Sequence, residues 1–124
     1  MKVGKSKNFT ESFNYAFTGI RHAAKHEKNF RRQIIISIIA VILCIIFQAN
    51  SWQFALVAFA IFFVLSTELI NTAIESTVDL VCGSKPHPLA KLAKDASAGA
   101  VLLAAMFSIV VGAIVALEII RRYV

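Results

Sequence analysis

Three acidic residues and one amide residue lie at the end of a long apolar stretch, namely Glu68, Asn71, Glu75 and Asp79. On an α-helix these positions fall within an arc of about 80°, so they share one face. A charge at the centre of a bilayer costs about 2.5–3.5 kcal/mol, and acids in such a segment therefore indicate a functional site. The alternative is that Glu75 and Asp79 are solvated side chains on a helix end that emerges from the membrane. That alternative explains Glu68 poorly.

Depth in the membrane divides these acids between different tasks. A helix over 52–81 is about 45 Å long, whereas the hydrocarbon core of a bilayer is about 30 Å thick. Glu68 then lies near the hydrocarbon boundary, and Glu75 lies about 10 Å further along the axis, in the headgroup layer or beyond. Because this separation is too great for both to hold one ion, we expect Glu68 to act at the boundary and Glu75 to hold a cation in water. For Asp79 we expect a structural role, as an anchor of the following loop.

The segment 83–95 is broken by two prolines and carries side chains suited to an anion, namely Lys85, His87, Lys91 and Lys94. The small residues of 96–100 follow it and permit close approach of another helix or a ligand. The alternative for the lysines is that they only set the orientation of the protein in the membrane. Acids for a divalent cation, a basic loop for phosphates and a carboxylate at the bilayer boundary are together what phosphoryl transfer to a membrane-embedded alcohol needs.

Two other classes of function remain open. A small cation carrier or channel would use the acidic stripe without ATP turnover and would have little need of the loop over 85–95. A purely structural membrane-assembly subunit would tolerate Glu68→Gln without effect.

The elements that position these groups are predicted to be membrane helices. Hydrophobic residues make up 58% of the 124-residue chain, which is too apolar for an ordinary soluble domain. No residue in 33–67 or 96–117 is charged, and both runs are long enough to cross a bilayer. The polar residues 48–51 interrupt the first run, so we expect three spans, at about 33–47, 52–81 and 96–120.

An amphipathic helix is predicted before the first span, over about 9–31. Its apolar positions recur at helical spacing, at Phe9, Phe13, Phe17, Ile20 and Ala24, which is typical of a helix lying on a membrane surface. Basic residues are concentrated before the first span and in 85–94, so we expect the N-terminus to be cytoplasmic. The sequence therefore predicts an all-α integral membrane protein with one domain, 1–124.

Several other patterns are weaker than they first look. The net charge of +6 does not indicate nucleic-acid binding, because the basic residues flank apolar spans and no recognition fold accompanies them. Cys44 and Cys82 lack the spacing of a redox or zinc motif. Lys5 and Ser6 follow Gly4 without the earlier glycine of a phosphate-binding loop. His22 and His26 lack the HExxH order, so we expect them to be exposed interfacial side chains.

Three motifs together resemble the prokaryotic diacylglycerol kinase and undecaprenol kinase family, the small integral-membrane lipid kinases of bacteria. They are Glu27-Lys-Asn-Phe-Arg31, Glu68-Leu-Ile-Asn-Thr-Ala-Ile-Glu75 with Asp79, and Ala93-Lys-Asp95, which match in order and spacing. The resemblance implies three transmembrane helices and a surface helix per subunit, a homotrimer with sites between subunits, and transfer of the ATP γ-phosphate to a lipid alcohol.

The resemblance also implies roles for individual residues. Glu68 corresponds to the general base, with Asn71 helping to orient it, and Glu27 and Glu75 correspond to ligands of the ATP-bound magnesium. From the residues alone, Glu27 has the alternative of a salt bridge with Arg31. The implied nucleotide contacts are Tyr15, Glu27, Glu75, Lys85, His87, Lys94 and Asp95. The implied contacts to the lipid are Arg21, Phe30, Arg31 and Glu68.

The loop bears on the choice of lipid. Residues 85–91 read Lys-Pro-His-Pro-Leu-Ala-Lys, which resembles the Gram-positive undecaprenol kinases more than the Gram-negative diacylglycerol kinases. We therefore expect undecaprenol as the substrate, with diacylglycerol as the alternative. Gln33 stands near the position where Gram-negative members have an acid, so a role for that acid does not carry over.

Overall fold

The computed structural model describes residues 4, 5 and 7–124, and the regular structure in this part of the chain is helical throughout. Four helices follow one another, α1 (Phe9–His26), α2 (Lys28–Ile46), α3 (Ser51–Cys82) and α4 (Pro88–Tyr123). The last three are long and apolar enough to cross a membrane. The predicted all-α membrane architecture with three spans and a preceding amphipathic helix is confirmed.

Helix α1 begins at a side-chain cap and presents a ladder of aromatic rings. The Asn8 carboxamide oxygen accepts from the backbone N–H of Glu11 at 2.8 Å, which satisfies one of the free donors of the first turn. The rings of Phe9, Phe13 and Phe17 follow at centroid separations of 6.1 and 5.1 Å. All three phenylalanines are exposed, and this unburied apolar stripe is what a helix on a lipid surface requires.

The surface helix ends at His26, five residues before the predicted limit. Glu27 is extended, with φ −104° and ψ 112°, and α2 starts at the next residue. The Arg31 guanidinium donates to the backbone carbonyls of Ala24 and Lys25, at 3.3 and 2.7 Å. These bonds occupy carbonyls that the end of a helix otherwise leaves without an intrahelical partner. One extended residue thus changes the direction of the chain between the surface helix and the first span. The apolar periodicity is continuous across this residue and therefore does not predict the break.

The turn between α2 and α3 comprises residues 47–50 and overlaps the predicted interruption at 48–51. Gln48 has a positive φ of 53°, and Asn50 and Gln53 form a reciprocal capping box at the start of α3. At the other end of α3, Gly83 has a φ of 58°, a backbone conformation that favours glycine. Helix α4 then begins at Pro88, eight residues before the expected span, because proline is well suited to a first helical turn.

Helix α3 is the centre of the molecule and contacts each of the other three helices. It packs antiparallel to α4 around a small core formed by Ala60, Val111 and Val115. A polar cluster lies at the opposite end of this hairpin from the acidic stripe. There Gln53, only 3% exposed, donates to Glu118 at 2.9 Å and accepts from Arg122 at 2.8 Å.

Candidate functional site

Two carboxylates of α3 and a third at the junction of α1 and α2 interact electrostatically. Glu68, on α3, is only 5% exposed. Glu75 and Glu27 both lie close enough to act on the charge of Glu68 electrostatically. Glu75 follows two turns along the same helix, whereas Glu27 is the residue between α1 and α2. Packing of α2 on α3 therefore brings Glu27 to the acidic stripe, which local periodicity does not predict.

The Asn71 amide links the Glu75 carboxylate to the Ser97 hydroxyl. Its Nδ2 donates to Glu75 Oε1 at 3.1 Å, and its Oδ1 accepts from the Ser97 hydroxyl at 2.6 Å. The family resemblance implies that Asn71 helps to orient Glu68, and the hydrogen bonds of the amide in the structure go to Glu75 and Ser97. The reason is geometric: Asn71 and Glu75 are four residues apart on α3 and so are neighbours on the helix surface.

Ser97 is a member of this network that the sequence reasoning missed. It lies on α4 and is buried, with 7% of its surface exposed. From the sequence, residues 96–100 were interpreted only as small residues that let another helix or a ligand approach closely. The available signal was a hydroxyl within that run, since a buried hydroxyl needs a hydrogen-bond partner.

Glu27 and Glu75 have the chemistry of magnesium ligands. Within the described ranges, no group of three or more His, Cys, Asp or Glu side chains is arranged to hold a metal ion. Magnesium, however, commonly takes only one or two carboxylates together with water and substrate phosphates. Glu27 makes no side-chain capping bond to α2, and Glu75 has one carboxylate oxygen bonded to Asn71. The pair therefore fits a cation that arrives with phosphates better than a metal held by protein alone.

The α3–α4 loop and the adjoining helix ends line an open cavity of about 510 Å³ with mixed charge. Lys94 donates to Asp79 at 2.7 Å, and Lys91 pairs with Asp95. Asp79 thus joins the end of α3 to the start of α4, which agrees with the expected role as an anchor. Of the predicted nucleotide contacts, Lys85, His87, Lys94 and Asp95 all line this cavity.

His87 lines this cavity and also caps α4. It is the N-cap of α4, and its Nδ1 accepts from the backbone N–H of Leu89 at 3.1 Å. The start of α4 carries the positive end of the helix dipole, which favours an anion nearby. This geometry suits the binding of a phosphate group at the loop.

Tyr15, the remaining predicted nucleotide contact, lies on α1 away from the loop cavity. Its hydroxyl donates to Glu11 Oε1 at 2.7 Å. This hydrogen bond, together with desolvation and the negative charge of Glu11, raises the pKa of Tyr15 above its ordinary value. Tyr15 is therefore a neutral hydroxyl donor at physiological pH.

The residues predicted to lie near the lipid are divided between exposed and packed positions. Arg21 is exposed on α1. Phe30 is 2% exposed, and the Arg31 guanidinium binds the carbonyls at the end of α1. Phe30 and Arg31 therefore also hold the junction between α1 and α2 in place.

A separate apolar groove of about 730 Å³ runs along α2, α3 and α4. Ala60, Val64 and Val111 contribute to its lining, to which none of the acidic residues in the described part of the chain belongs. The groove is thus distinct from the region where the carboxylates meet.

Comparison with known proteins identifies the family. Residues 14–116 match the family described as prokaryotic diacylglycerol kinase. A diacylglycerol kinase of Synechocystis is 39% identical over 105 residues, which cover 85% of this chain and 60% of the relative. An undecaprenol kinase of Bacillus subtilis is 38% identical over 107 residues, 86% of each chain. A diacylglycerol kinase of Escherichia coli K12 is 30% identical over 96 residues, 77% of this chain and 78% of the relative. The motifs, the helical architecture and these matches agree, and the chain belongs to the prokaryotic diacylglycerol kinase family of membrane lipid kinases.

Proposed function

We propose that this protein transfers the γ-phosphate of MgATP to undecaprenol at the cytoplasmic face of the membrane, giving undecaprenyl phosphate and ADP. The observation that carries the proposal is the almost complete burial of Glu68, a carboxylate on which Glu27 and Glu75 act electrostatically. This arrangement offers a desolvated carboxylate beside two that have the chemistry of magnesium ligands. Family membership supports the broader assignment, a phosphotransferase that acts on a lipid alcohol.

Glu68 is the proposed general base. Its carboxylate accepts the proton of the lipid hydroxyl as that oxygen bonds to the γ-phosphorus, while the bond from the γ-phosphorus to the bridging oxygen of ADP breaks. The predicted depth of Glu68, at the hydrocarbon boundary, is where the hydroxyl of a membrane lipid is accessible. Arg21, Phe30 and Arg31 are the proposed contacts that position the lipid.

Glu27 and Glu75 are the proposed magnesium ligands. These two carboxylates would hold Mg²⁺ together with ATP, and the ion would supply positive charge to the phosphate oxygens. The Asn71 hydrogen bond supports this role for Glu75, because outer partners of metal ligands usually fix their orientation. Lys85, His87, Lys94, Asp95 and Tyr15 are the proposed nucleotide contacts.

Two further parts of the proposal concern assembly and orientation. We place the N-terminus in the cytoplasm because the basic residues are concentrated before α2 and around the α3–α4 loop. We also propose a homotrimer with sites between subunits, as the resemblance implies. The exposed apolar side chains on all three spanning helices are consistent with surfaces that face lipid or neighbouring subunits.

The choice of undecaprenol rests on the loop over 85–91. The relative from Bacillus subtilis is named an undecaprenol kinase and that from Synechocystis a diacylglycerol kinase, at nearly equal identity. Overall identity therefore does not separate the two lipids, and the loop is the feature that favours undecaprenol. Diacylglycerol remains the alternative substrate.

A transfer assay tests both the activity and the substrate. Purified protein in detergent is incubated with γ-labelled ATP, Mg²⁺ and either undecaprenol or diacylglycerol. We expect faster labelling of undecaprenol, and an approximately 10²- to 10⁴-fold slower rate for Glu68→Gln, the usual range for losing a general base. Glu118→Gln is the matched control, since it neutralises an acid at the opposite end of the α3–α4 hairpin and should retain the rate.

The outcomes separate the competing functions. Label in neither lipid removes the kinase proposal, and preferential labelling of diacylglycerol replaces the proposed substrate. Ion flux in vesicles without ATP turnover would instead indicate a cation carrier. A Glu68→Gln variant as active as the unaltered chain would contradict the general-base role.

A further inference from the structure

We propose that Ser97 is a positioning residue for the phosphate transfer. Its hydroxyl sets the direction of the Asn71 amide, and that amide holds the Glu75 carboxylate for the metal-bound nucleotide. The inference rests on the proposed function, in which Glu75 is a magnesium ligand. It adds a residue on α4 whose effect reaches the ligand through two hydrogen bonds.

The two bonds have a fixed direction. The Ser97 hydroxyl donates to Asn71 Oδ1 at 2.6 Å, and Asn71 Nδ2 donates to Glu75 Oε1 at 3.1 Å. An ionised carboxylate only accepts hydrogen bonds, so the amide must present its NH₂ group to Glu75. The opposite end of the amide is then an acceptor, for which the Ser97 hydroxyl is the matching donor.

Ser97 differs from other helical serines of this protein. The hydroxyls of Ser37 and Ser108 donate to carbonyls of their own helices, the usual local bond of a serine within a helix. The Ser97 hydroxyl instead bonds to a side chain 26 positions earlier in the sequence. Because Ser97 is buried, this bond also satisfies a hydroxyl that is largely removed from water.

Loss of the hydroxyl removes the constraint on the amide. The last side-chain torsion of asparagine is broad and roughly two-fold, so an unanchored Asn71 can turn its oxygen toward Glu75. Two acceptors would then face each other, and the carboxylate would lose its donor. Because a carboxylate has about four acceptor positions, the single bond from Asn71 fixes Glu75 while leaving capacity for a cation.

The test measures metal binding directly. The full chain in detergent is titrated with Mn²⁺ in the presence of a non-hydrolysable ATP analogue, and free Mn²⁺ is followed by electron paramagnetic resonance. We expect Ser97→Ala to weaken Mn²⁺ binding by roughly 2- to 10-fold, the effect of one neutral hydrogen bond. Asn71→Ala removes the direct partner of Glu75 and should weaken binding by about 10- to 100-fold.

Controls separate positioning from folding. Ser97→Thr keeps the hydroxyl and should retain binding near that of the unaltered chain, whereas Ser108→Ala removes only a hydroxyl bonded within its own helix and should leave it unchanged. The double variant Ser97→Ala/Asn71→Ala should bind no more weakly than Asn71→Ala alone, because both changes interrupt one pathway. In the transfer assay, Ser97→Ala should raise the Mg²⁺ concentration needed for half-maximal rate while the KM for lipid stays the same.

Three results overturn the proposal. Unchanged Mn²⁺ binding in Ser97→Ala removes the role of Ser97, and additive losses in the double variant remove the pathway through Asn71. Unchanged Mn²⁺ binding in Glu75→Gln removes the metal role of Glu75, and with it the proposed function of that residue. The last result is separate from the first two, so failure of the pathway and failure of the metal assignment can be distinguished.

Discussion

Gln53 connects α3 to the end of α4, and its removal should destabilise the protein by a predictable amount. Its Oε1 accepts from Asn50 N at 3.0 Å and from Arg122 Nη2 at 2.8 Å, and its Nε2 donates to Glu118 Oε2 at 2.9 Å. A neutral hydrogen bond contributes about 0.5–1.5 kcal/mol and one to a charged group about 1.5–3 kcal/mol. Simple addition overestimates the loss, because Arg122 also donates to the Gln48 carbonyl at 3.0 Å. We expect Gln53→Ala to lower the free energy of unfolding by about 2–4 kcal/mol.

The measurement is reversible unfolding in mixed detergent micelles, followed by circular dichroism. Glu118→Ala alone, and in combination with Gln53→Ala, forms a double-variant cycle in which the combined loss should be smaller than the sum. Mn²⁺ binding with the ATP analogue should be unchanged in folded Gln53→Ala, since the polar cluster lies at the far end of the hairpin from Glu75. A loss below about 0.5 kcal/mol would refute the reasoning, because it is smaller than one neutral bond.

Three further predictions concern α1, the junction of α1 with α2, and the α3–α4 loop. Asp79→Asn should change the free energy of unfolding by less than about 1 kcal/mol in the same detergent titration, because the pair with Lys94 is substantially exposed; a larger loss would contradict a simple surface anchor. Glu11→Gln should lower the pKa of Tyr15 toward its ordinary value, because it removes the negative charge and leaves only a neutral amide oxygen as the acceptor; an unchanged tyrosinate titration by NMR would exclude that cause. Chelation of Mg²⁺ with EDTA should abolish transfer to lipid. Glu27→Gln should raise the Mg²⁺ concentration needed for transfer by roughly tenfold or more, because loss of a metal ligand should weaken metal binding at least as much as loss of a residue that only hydrogen-bonds to a ligand. An unchanged dependence of the rate on Mg²⁺ would exclude Glu27 as a ligand.

Features that depend only on residues close together in the sequence were predictable from the sequence. The uncharged runs over 33–67 and 96–117 indicate membrane spans because a bilayer excludes charge regardless of how the helices later pack. The shared face of Glu68 and Glu75 follows from helical periodicity alone. The phenylalanine spacing of α1 likewise determines an apolar stripe that the structure leaves exposed.

The end of the surface helix was not predictable in the same way. The amphipathic pattern continues across Glu27, and hydrophobic periodicity does not register a single extended residue. The return of the Arg31 guanidinium to carbonyls six and seven residues earlier depends on a sharp change of chain direction. The guanidinium can reach those carbonyls only because α2 runs in a different direction from α1.

Only the tertiary structure decided which partners meet between helices. Glu27 reaches the acidic stripe because α2 packs on α3, and Ser97 meets Asn71 because α4 returns antiparallel to α3. The periodicity of residues along one helix predicts neither contact, because each contact depends on the crossing angle and register of two helices. The sequence by itself determined the spans, the surface helix and the acidic face, because these follow from local charge and periodicity. The assembly of three carboxylates and a buried serine network around that face required the packing of one helix on another.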